Sequence, residues 1–365
     1  MKATQQLHNL GQSLWLDNIT REMLSNGTLA RYIRELSVTG LTSNPTIFDH
    51  AIQHGNFYDD AIRKKKLAGK SGEILFFELA LEDLRQAADL FLPVFENTGG
   101  VDGWVSLEVS PLLADDTAAT IRAALQLHAD ANRPNLFIKI PGTPAGIAAI
   151  EEVIYAGVPV NVTLLFSAGH YLAAAEAYLR GIERRIAAGR DPKIASVASI
   201  FISRWDVAVK NKVQGELKNN SLGIAVAIRI YKAYRELLAS ARWQKLAFAG
   251  ALPQRLLWAS TGTKDPAASD TLYVDALAAP DTVNTIPEKT LLALASHDKT
   301  ANALTLDETY AKKVIANFSR DGIDVDTLAQ ELQREGTESF AKSWHDLLAK
   351  IAAKIDALSQ PQSVR

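Results

Sequence analysis

The sequence of 365 residues contains no cysteine, which excludes disulfide scaffolds, zinc sites with thiolate ligands and cysteine nucleophiles. Its 39 basic and 41 acidic residues leave a net charge of −2, too weak a field to attract nucleic acid or an anionic membrane. Residues 1–25 lack the apolar region of a signal peptide, and no later run reaches the roughly 18 apolar residues of a membrane span. We therefore expect a cytoplasmic protein that binds neither nucleic acid nor a membrane.

What the sequence does contain is an alternation of short segments rich in Val, Ile, Leu and Trp with longer stretches of helical periodicity. This alternation is typical of parallel strands joined by helices. The predicted strands are 14–18, 39–44, 104–109, 135–140, 158–164, 196–201, 255–260 and 281–286. Eight such units predict an α/β protein of the (β/α)8 or TIM barrel type.

Helix signals separate these strands. Asp116 begins a helical pattern that runs to Leu127, and Thr143-Pro144 provide an N-cap and a first helical residue. Two helical stretches, 57–95 and 205–243, are longer than a crossover needs and predict additional helices.

The sequence has no linker or low-complexity segment that would mark a domain boundary. Beyond Pro287 it predicts only helices, at 306–317 and 325–358, with a turn at Asp321-Gly322. We therefore expect a single domain, 1–365, in which about 300–365 form a helical C-terminal extension packed on the barrel.

Polar residues share one face of several predicted strands. Side chains alternate across a strand, so residues of one parity point into a barrel and the others point towards the helices. In the fourth strand Ile138 and Ile140 suit the outer face, so Lys139 points inward. The same counting places inward Asp17, Thr42, Asn44, Ser106, Glu108, Asn161, Thr163, Ser199, Phe201 and Ser260. Most lie near the carboxyl ends of their strands, where such barrels carry their active sites.

Each of these residues also has a purely structural interpretation. Lys139 could protect an edge strand, or form an inert buried ion network with Asp17 and Glu108. Asn44 could cap a helix that starts at Pro45. Asn161 and Thr163 could pair with each other. The shared parity and strand position of the whole set favour a functional site.

An enclosed lysine supports a specific chemistry, because burial disfavours its ammonium form and the neutral amine is a nucleophile. It can condense with a ketone to a Schiff base, which withdraws electrons from the adjacent carbon–carbon bond. A carboxylic acid such as Glu108 would help to expel water, through an ordered water beside Thr163, and an ionised Asp17 would take the hydroxyl proton. The Asn44 and Asn161 amides would hold the remaining three-carbon fragment.

Two segments could bind a phosphate group. The segment Ser260-Thr261-Gly262-Thr263-Lys264 follows the seventh strand, at a barrel position often used for phosphate, and supplies hydroxyls and a cation. After the sixth strand, Ser203 and Arg204 could contact the same phosphate. The alternatives are a surface turn for the first segment and a salt bridge at the rim for the second.

Other chemistries have less support. His50 and His54 are the only histidines at helical spacing, and no third ligand lies near them in sequence. The sequence contains no P-loop, G-x-S-x-G or H-E-x-x-H motif, and Gly142 to Gly146 is not a dinucleotide fingerprint. We therefore expect neither a metal nor a cofactor.

Five segments together resemble the transaldolase family, in its longer bacterial form, from about residue 10 to 300. They are Leu16-Asp17-Asn18, Gly40-Leu41-Thr42-Ser43-Asn44-Pro45-Thr46, Ser106-Leu107-Glu108-Val109-Ser110-Pro111, Ile138-Lys139-Ile140-Pro141-Gly142-Thr143 and Asn161-Val162-Thr163-Leu164-Leu165-Phe166-Ser167. The resemblance implies a class I aldolase barrel of the pentose phosphate pathway. Such an enzyme moves dihydroxyacetone from a ketose phosphate (sedoheptulose 7-phosphate or fructose 6-phosphate) to an aldose phosphate (glyceraldehyde 3-phosphate or erythrose 4-phosphate).

The resemblance also implies roles for individual residues. Lys139 matches the Schiff-base lysine, Asp17 the general acid/base, and Glu108 the carboxylate that works through water. The residues that match those holding the fragment, the water or the substrate phosphate are Asn44, Asn161, Thr163, Ser199, Phe201 and Arg204. After the seventh strand many members have Ala-Ser-Phe-Arg, whereas this chain continues from Ser260 to Lys264. Whether Lys264 replaces the second arginine stays open, and a monomer or homodimer is expected only by analogy.

Two other functions compete with this interpretation. A fructose 6-phosphate aldolase would release free dihydroxyacetone, but such enzymes are shorter and have tyrosine where Phe201 lies. A catalytically inactive barrel could bind sugar phosphates as a sensor, but the intact Lys139, Glu108 and Asp17 set argues against it.

Overall fold

The computed structural model describes residues 1–53, 55–297, 304 and 307–358. Its centre is a closed barrel of parallel strands in the order β1 to β8, with β8 pairing back onto β1. The strands are β1 (Gln12–Asp17), β2 (Val38–Thr42), β3 (Trp104–Glu108), β4 (Leu136–Pro141), β5 (Val160–Leu165), β6 (Ser196–Phe201), β7 (Gln254–Ala259) and β8 (Thr282–Ile286). Each begins and ends within two residues of its predicted counterpart. The predicted (β/α)8 barrel is confirmed.

Helices surround the barrel and precede its first strand. They are α1 (Ala3–Leu10), α2 (Arg21–Ser25), α3 (Thr28–Leu36), α4 (Pro45–Gln53), α5 (Asp59–Leu67), α6 (Gly72–Asn97), α7 (Thr117–Ala131), α8 (Pro144–Ala156), α9 (Ala168–Ala187), α10 (Ser203–Val209), α11 (Leu222–Ala239), α12 (Ala241–Phe248), α13 (Leu272–Ala276), α14 (Glu288–Ala295), α15 (Glu308–Arg320) and α16 (Val325–Ala357). Short 3₁₀ turns lie at Pro111–Leu113 and Gly215–Lys218. Within the described ranges, no helix is both long and apolar enough to cross a membrane.

The predicted helix starts are formed by side-chain caps. The Asp116 carboxylate accepts a hydrogen bond from the Ala119 amide at 2.8 Å, and Thr143 Oγ1 accepts one from the Gly146 amide at 3.1 Å. These bonds satisfy amides that have no partner within the first turn of α7 and α8. Gly157 ends α8 in the left-handed conformation (φ 99°), which glycine adopts without strain. Helices α7 and α8 therefore begin where the sequence predicts.

The amino-terminal half of the barrel interior is filled by aromatic rings. The Trp15 and Phe137 ring centroids lie 6.1 Å apart, although β1 and β4 are not neighbours in the sheet. The Phe137 ring stacks on Trp104 at 4.1 Å. A Cβ at Gly40 would lie 2.7 Å from Trp15 Nε1, so only glycine leaves room for the indole. These rings close the amino-terminal half of the barrel and leave the carboxyl end for the site.

The two long helical stretches are divided into shorter helices. The stretch 57–95 contains α5 and most of α6, separated at Gly69 (φ 77°). The stretch 205–243 contains most of α10, the turn Gly215–Lys218, α11 and the start of α12. The prediction of additional helices is confirmed.

The last helix, α16, lies across the carboxyl end of the barrel. Gln333 Nε2 donates hydrogen bonds to the carbonyl oxygens of Gly142 and Leu164, which follow β4 and belong to β5. Further along, Trp344 packs edge-on against Phe76 of α6 at 4.9 Å. Of the predicted extension, residues 300–303, 305, 306 and 359–365 lie outside the described residues, so the predicted start of the 306–317 helix does too. α16 therefore reaches the region predicted to hold the site.

Candidate active site

A pocket of about 330 Å³ opens at the carboxyl end of the barrel. It lies among the ends of the strands and beneath α16. Predicted site residues that line it are Asp17, Asn44, Lys139, Thr163, Ser199, Phe201, Arg204, Ser260 and Lys264. Glu108 and Asn161 lie directly behind this wall and contact Lys139 and Ser199 respectively. The barrel thus gathers the whole predicted set from seven different segments of the chain.

Lys139 is held by two partners at the base of the pocket. Its Nζ donates hydrogen bonds to the Ser43 carbonyl oxygen at 2.9 Å and to Glu108 Oε2 at 3.1 Å. Glu108 and Lys139 are register partners on β3 and β4, which explains why the side chains meet. Both residues are 6% exposed. Lys139 is therefore an interior residue, and the alternative of an edge-strand lysine is wrong.

Glu108 is a suitable proton acceptor for this amine. Burial raises the pKa of Glu108, and the adjacent Lys139 charge and hydrogen bond oppose that rise. The 3.1 Å contact is a direct path for a proton from Nζ to the carboxylate. Through the same contact Glu108 can take a proton from Nζ, which would leave the neutral amine that the sequence predicts.

Asp17 ends β1 on the opposite side of the pocket from β4. Its Oδ1 accepts a hydrogen bond from Thr42 Oγ1 at 3.2 Å, and Thr42 Oγ1 also contacts Thr285 Oγ1 at 2.7 Å. Burial raises the pKa of Asp17, while Lys139, the Thr42 hydroxyl and Lys264 lower it. A carboxylate with a raised pKa near a polar pocket is suited to accept a proton from a substrate hydroxyl.

Hydrogen bonds lock Asn161 in the barrel interior. Its Oδ1 accepts from Ser199 Oγ at 2.6 Å, and its Nδ2 donates to Ser106 Oγ at 3.2 Å. Thr163 Oγ1 is buried and has no hydrogen-bond partner among the described residues. The alternative in which Asn161 and Thr163 pair with each other is therefore wrong. The unpaired Thr163 hydroxyl lines the pocket and can bind a water or a substrate atom.

Asn44 fits both of its interpretations. Its Oδ1 accepts a hydrogen bond from the Ile47 amide at 3.0 Å in the first turn of α4. It also lines the pocket. The cap fixes the position of the side chain beside the site.

Arg204 is enclosed by two aromatic rings. Its guanidinium carbon lies 5.4 Å from the centroid of Phe201 and 6.0 Å from that of Phe340. Burial lowers the pKa of Arg204, and the charge of Glu335 opposes this. Within the described part of the chain Arg204 forms no ion pair, so the alternative of a rim salt bridge is wrong. Its positive charge is directed to the pocket.

The segment after β7 is built into the barrel end. Ser260 has a left-handed backbone (φ 55°), and its hydroxyl contacts that of Ser203 at 2.9 Å. Thr261 Oγ1 donates to Asn284 Oδ1 at 2.9 Å and is fully buried. The alternative of a surface turn is therefore wrong. Lys264 follows on the pocket wall, exposed to solvent.

Sequence reasoning missed several pocket residues. They are Thr46, Ile47 and His50 of α4, Thr285 and Pro287 at the end of β8, and Phe340 of α16. The parity argument would have found Thr285 if it had been extended to β8. No local signal marks Phe340, because its helix packs on the barrel through long-range contacts.

The described residues contain no cluster of side chains suited to a metal ion. Across the described ranges, no group of three or more His, Asp or Glu side chains could hold a metal ion. His50 lies in the pocket wall, whereas His54, the other member of the predicted pair, lies outside the described residues.

Comparisons with known proteins agree with this geometry. The sequence matches the Transaldolase/Fructose-6-phosphate aldolase family over residues 14–351. A protein named Transaldolase from Saccharopolyspora erythraea is 44% identical over 96% of this chain and 97% of its own length. A Transaldolase from Thiobacillus denitrificans is 43% identical over 96% of this chain and 100% of its own, and one from Trichodesmium erythraeum is 40% identical over 97% and 98%.

The fold and these relationships define a (β/α)8-barrel enzyme that transfers aldehyde or ketone residues. The chain belongs to the transaldolase/fructose-6-phosphate aldolase family. Within that family, its function is that of a transaldolase, and phosphorylated sugars are its class of substrate.

Proposed function

We propose that Lys139 carries the Schiff base through which this chain transfers a dihydroxyacetone unit between phosphorylated sugars in the pentose phosphate pathway. The donor is sedoheptulose 7-phosphate or fructose 6-phosphate, and the acceptor is glyceraldehyde 3-phosphate or erythrose 4-phosphate. The observation that carries the proposal is the buried Lys139 Nζ, 3.1 Å from Glu108 Oε2 at the base of the pocket.

Imine formation begins with a proton transfer. The Lys139 ammonium gives a proton to Glu108, and the neutral amine attacks the ketone carbon of the donor. The ketone oxygen takes up the proton that the newly bonded nitrogen loses, and it becomes the hydroxyl of a carbinolamine. Glu108, now a carboxylic acid, returns its proton through a water held by Thr163 Oγ1, and the hydroxyl leaves as water. The protonated Schiff base remains on Lys139.

Asp17 performs the next step. Its carboxylate removes the proton from the hydroxyl on the far carbon, the carbon–carbon bond breaks, and the electron pair moves into the iminium to give an enamine. An aldose phosphate leaves, and the three-carbon fragment stays on Lys139, where Asn44, Asn161 and Ser199 hold its hydroxyls. The enamine then attacks the acceptor aldehyde, Asp17 returns its proton, and hydrolysis releases the new ketose phosphate.

Arg204, Ser260 and Lys264 bind the substrate phosphate. Their side chains line one region of the pocket, and Arg204 has no carboxylate partner among the described residues. A guanidinium and an ammonium can share the charge of a phosphate dianion. Lys264 therefore supplies the second cation that an arginine supplies in many members of the family.

Phe201 favours transfer over release. Its non-polar ring lies in the pocket wall, 5.5 Å from Phe166 and 6.4 Å from Phe340. A phenylalanine at this position offers no hydroxyl that could activate water for hydrolysis of the fragment bound to Lys139. The enzyme should therefore keep dihydroxyacetone until an acceptor arrives, in contrast to a fructose 6-phosphate aldolase.

Borohydride trapping tests the assignment of Lys139. Incubation with fructose 6-phosphate and borohydride should leave a reduced three-carbon adduct on Lys139, detected by peptide mass spectrometry. Lys264→Ala is the matched control, since it removes the other lysine of the pocket and should still be labelled. An adduct on another lysine, or none, would contradict the proposal.

Acceptor dependence separates the two activities of the family. Dihydroxyacetone release from fructose 6-phosphate should be slow without erythrose 4-phosphate, and transfer should be fast with it. Release that is equally fast without an acceptor would favour an aldolase. No turnover of either kind would favour an inactive sugar-phosphate-binding barrel.

We further propose that the chain folds as one domain, 1–365, and acts in the cytoplasm, where charged sugar phosphates are retained, as a monomer or homodimer. Trp344 and Gln333 tie α16 to the rest of the barrel, which supports the single domain. One cooperative unfolding transition, and light scattering that gives the mass of one or two chains, are the expected results.

A further inference from the structure

We propose that Gln333 of α16 is a positioning residue for the reaction. It holds the carboxyl ends of β4 and β5 together, so that the Thr163 hydroxyl stays directed at the reaction water beside Lys139. This inference rests on the function proposed above, in which Thr163 holds that water.

The first observation is a bridge between two strands. Gln333 Nε2 donates to the Gly142 carbonyl oxygen at 3.0 Å and to the Leu164 carbonyl oxygen at 2.9 Å. Gly142 comes three residues after Lys139, and its amide donates to the Thr163 carbonyl oxygen at 2.8 Å. One side-chain amide therefore uses both of its hydrogens to join the segment that carries Lys139 to the segment that carries Thr163.

The second observation is the irregular end of β5. The pairing of β5 with β6 shifts register between Val162 and Leu165, and Leu164 has a left-handed backbone (φ 58°). A non-glycine residue in that region is strained and needs support from its surroundings. Irregularities of this kind redirect neighbouring side chains. Thr163 comes directly before Leu164, so the support from Gln333 acts on the residue that lines the pocket.

The third observation is the close fit of α16 to this irregularity. A Cβ at Gly336 would lie 2.9 Å from Leu164 Cδ2, so the absence of a side chain at Gly336 lets the helix approach the Leu164 side chain closely. Gln333, Gly336 and Phe340 follow one another at helical spacing, on the face that meets the barrel. The bridge thus belongs to a helix surface shaped for the end of β5.

Loss of the bridge should affect chemistry more than substrate binding. Without Gln333, two carbonyl oxygens lose their donor and Leu164 can relax towards ordinary strand geometry. Thr163 Oγ1, which is buried without another partner among the described residues, would then lose its direction. The phosphate contacts on Arg204 and Lys264 come from other strand ends and should remain.

The experiment compares Gln333→Ala and Gln333→Glu with Arg334→Ala. The glutamate keeps the side-chain volume but turns oxygens towards the two carbonyl oxygens. Arg334 is an exposed neighbour on the same helix that forms an ion pair with Glu338 alone among the described residues, and it serves as the matched control. Turnover is normalised to active sites by saturating borohydride labelling of Lys139, which removes any effect of a smaller folded fraction.

We expect both Gln333 variants to lose about tenfold or more in kcat, with KM for fructose 6-phosphate within about threefold of the wild type. Arg334→Ala should retain wild-type kcat. In a Thr163→Val background, Gln333→Ala should lower kcat by less than about twofold, because the Thr163 hydroxyl that Gln333 positions is already absent.

Wild-type kcat per labelled site in both Gln333 variants would overturn the inference, as would an undiminished loss in the Thr163→Val background. The wild-type enzyme in the same experiment reports separately on the proposed function. If it forms no adduct on Lys139, the Schiff-base assignment fails. If the wild type forms the adduct and the Gln333 variants keep the wild-type kcat, only the positioning role of Gln333 fails.

Discussion

Asp17 is half-buried and Glu108 is buried, and the two carboxylates have different surroundings. Burial raises the pKa of both. Glu108 then meets Lys139 directly, so its proton exchanges with the amine. Asp17 instead accepts a hydrogen bond from Thr42 and experiences the positive charges of Lys139 and Lys264, which favour its ionised form. These surroundings fit the proposed mechanism, in which Glu108 relays a proton to the leaving water and Asp17 acts on the substrate hydroxyl.

The substitution Lys264→Ala tests the proposed contact between Lys264 and the substrate phosphate. We expect KM for fructose 6-phosphate to rise about tenfold or more, since a charge-assisted hydrogen bond to phosphate is lost. Unphosphorylated fructose should be affected little. Because the Lys264 charge lowers the pKa of Asp17, its removal raises that pKa, and the acid limb of the kcat/KM–pH profile should move to higher pH. Steady-state kinetics with both sugars over a pH series measure these effects.

Lys210→Ala is the control for this prediction, because Lys210 is a half-exposed lysine whose only described ion pair, with Asp265, is a long one at 3.9 Å. Equal losses on the phosphorylated and unphosphorylated sugars would remove the proposed phosphate contact. An acid limb that moves to lower pH would contradict the electrostatic effect on Asp17.

Among the helices, α16 both packs on the barrel and supplies a residue of the pocket. Its amino-terminal half carries Gln333 and Phe340 to the strand ends, and its later part packs Trp344 between Phe76 and Phe77. The Phe340 ring also faces Arg204 and Phe201. The helix therefore combines an apolar anchor on α6 with one wall of the active site.

Phe340→Ala is the prediction for this element. Loss of the ring removes one face of the cage around Arg204 and admits water next to Phe201. We expect KM for fructose 6-phosphate to rise and the ratio of transfer to acceptor-independent release of dihydroxyacetone to fall. Product analysis with and without erythrose 4-phosphate measures both effects.

Phe248→Ala is the matched control, because Phe248 is a phenylalanine of α12 that is 97% exposed. It should leave the transfer-to-release ratio unchanged. An unchanged ratio in Phe340→Ala as well would show that α16 does not exclude water from the fragment.

At the scale of the whole molecule, a buried carboxylate joins three helices behind the site. Asp206 of α10 accepts hydrogen bonds from the Leu222 amide of α11 at 2.9 Å and from the Tyr273 hydroxyl of α13 at 2.9 Å. Burial nevertheless raises the pKa of Asp206 to about 6, with these hydrogen bonds opposing the rise. The folded state therefore binds this proton more tightly than the unfolded chain, where the carboxyl has its ordinary value.

This raised pKa predicts how stability depends on pH. The stabilisation from Asp206 is fully present below the unfolded pKa of about 3.9 and is lost as pH rises through about 6. In Asp206→Asn the titration disappears. The free energy of unfolding of the wild type relative to the variant should therefore fall between pH 4 and pH 7, by on the order of 3 kcal/mol. Denaturant titrations across this range measure it.

Asp324→Asn provides a control of opposite sign. Asp324 is an exposed N-cap of α16, and its hydrogen bond from the Thr327 amide lowers its pKa. Its contribution is therefore lost as pH falls, not as it rises. A wild-type advantage over Asp206→Asn that does not change between pH 4 and pH 7 would contradict the assignment.

The barrel and most residues of its pocket could be predicted from the amino-acid sequence. Apolar alternation with turn and cap signals is local information, so every strand could be located within two residues. Strand parity then identified inward residues such as Lys139 and Asn161, because the two-residue period of a strand is independent of what packs on it. The class of chemistry followed from which side chains shared that parity.

The partners of these side chains, in contrast, could not be predicted without the three-dimensional packing. Glu108 meets Lys139 because β3 and β4 pair in one particular register, which places Glu108 Oε2 3.1 Å from Lys139 Nζ. Gln333 lies 191 residues after Gly142, to which it bonds, and Phe340 of the same helix lines the pocket. No local sequence pattern predicts contacts between segments so far apart in the chain. The physical reason is that periodicity fixes the direction of a side chain, whereas its partners depend on packing between elements that are remote in sequence.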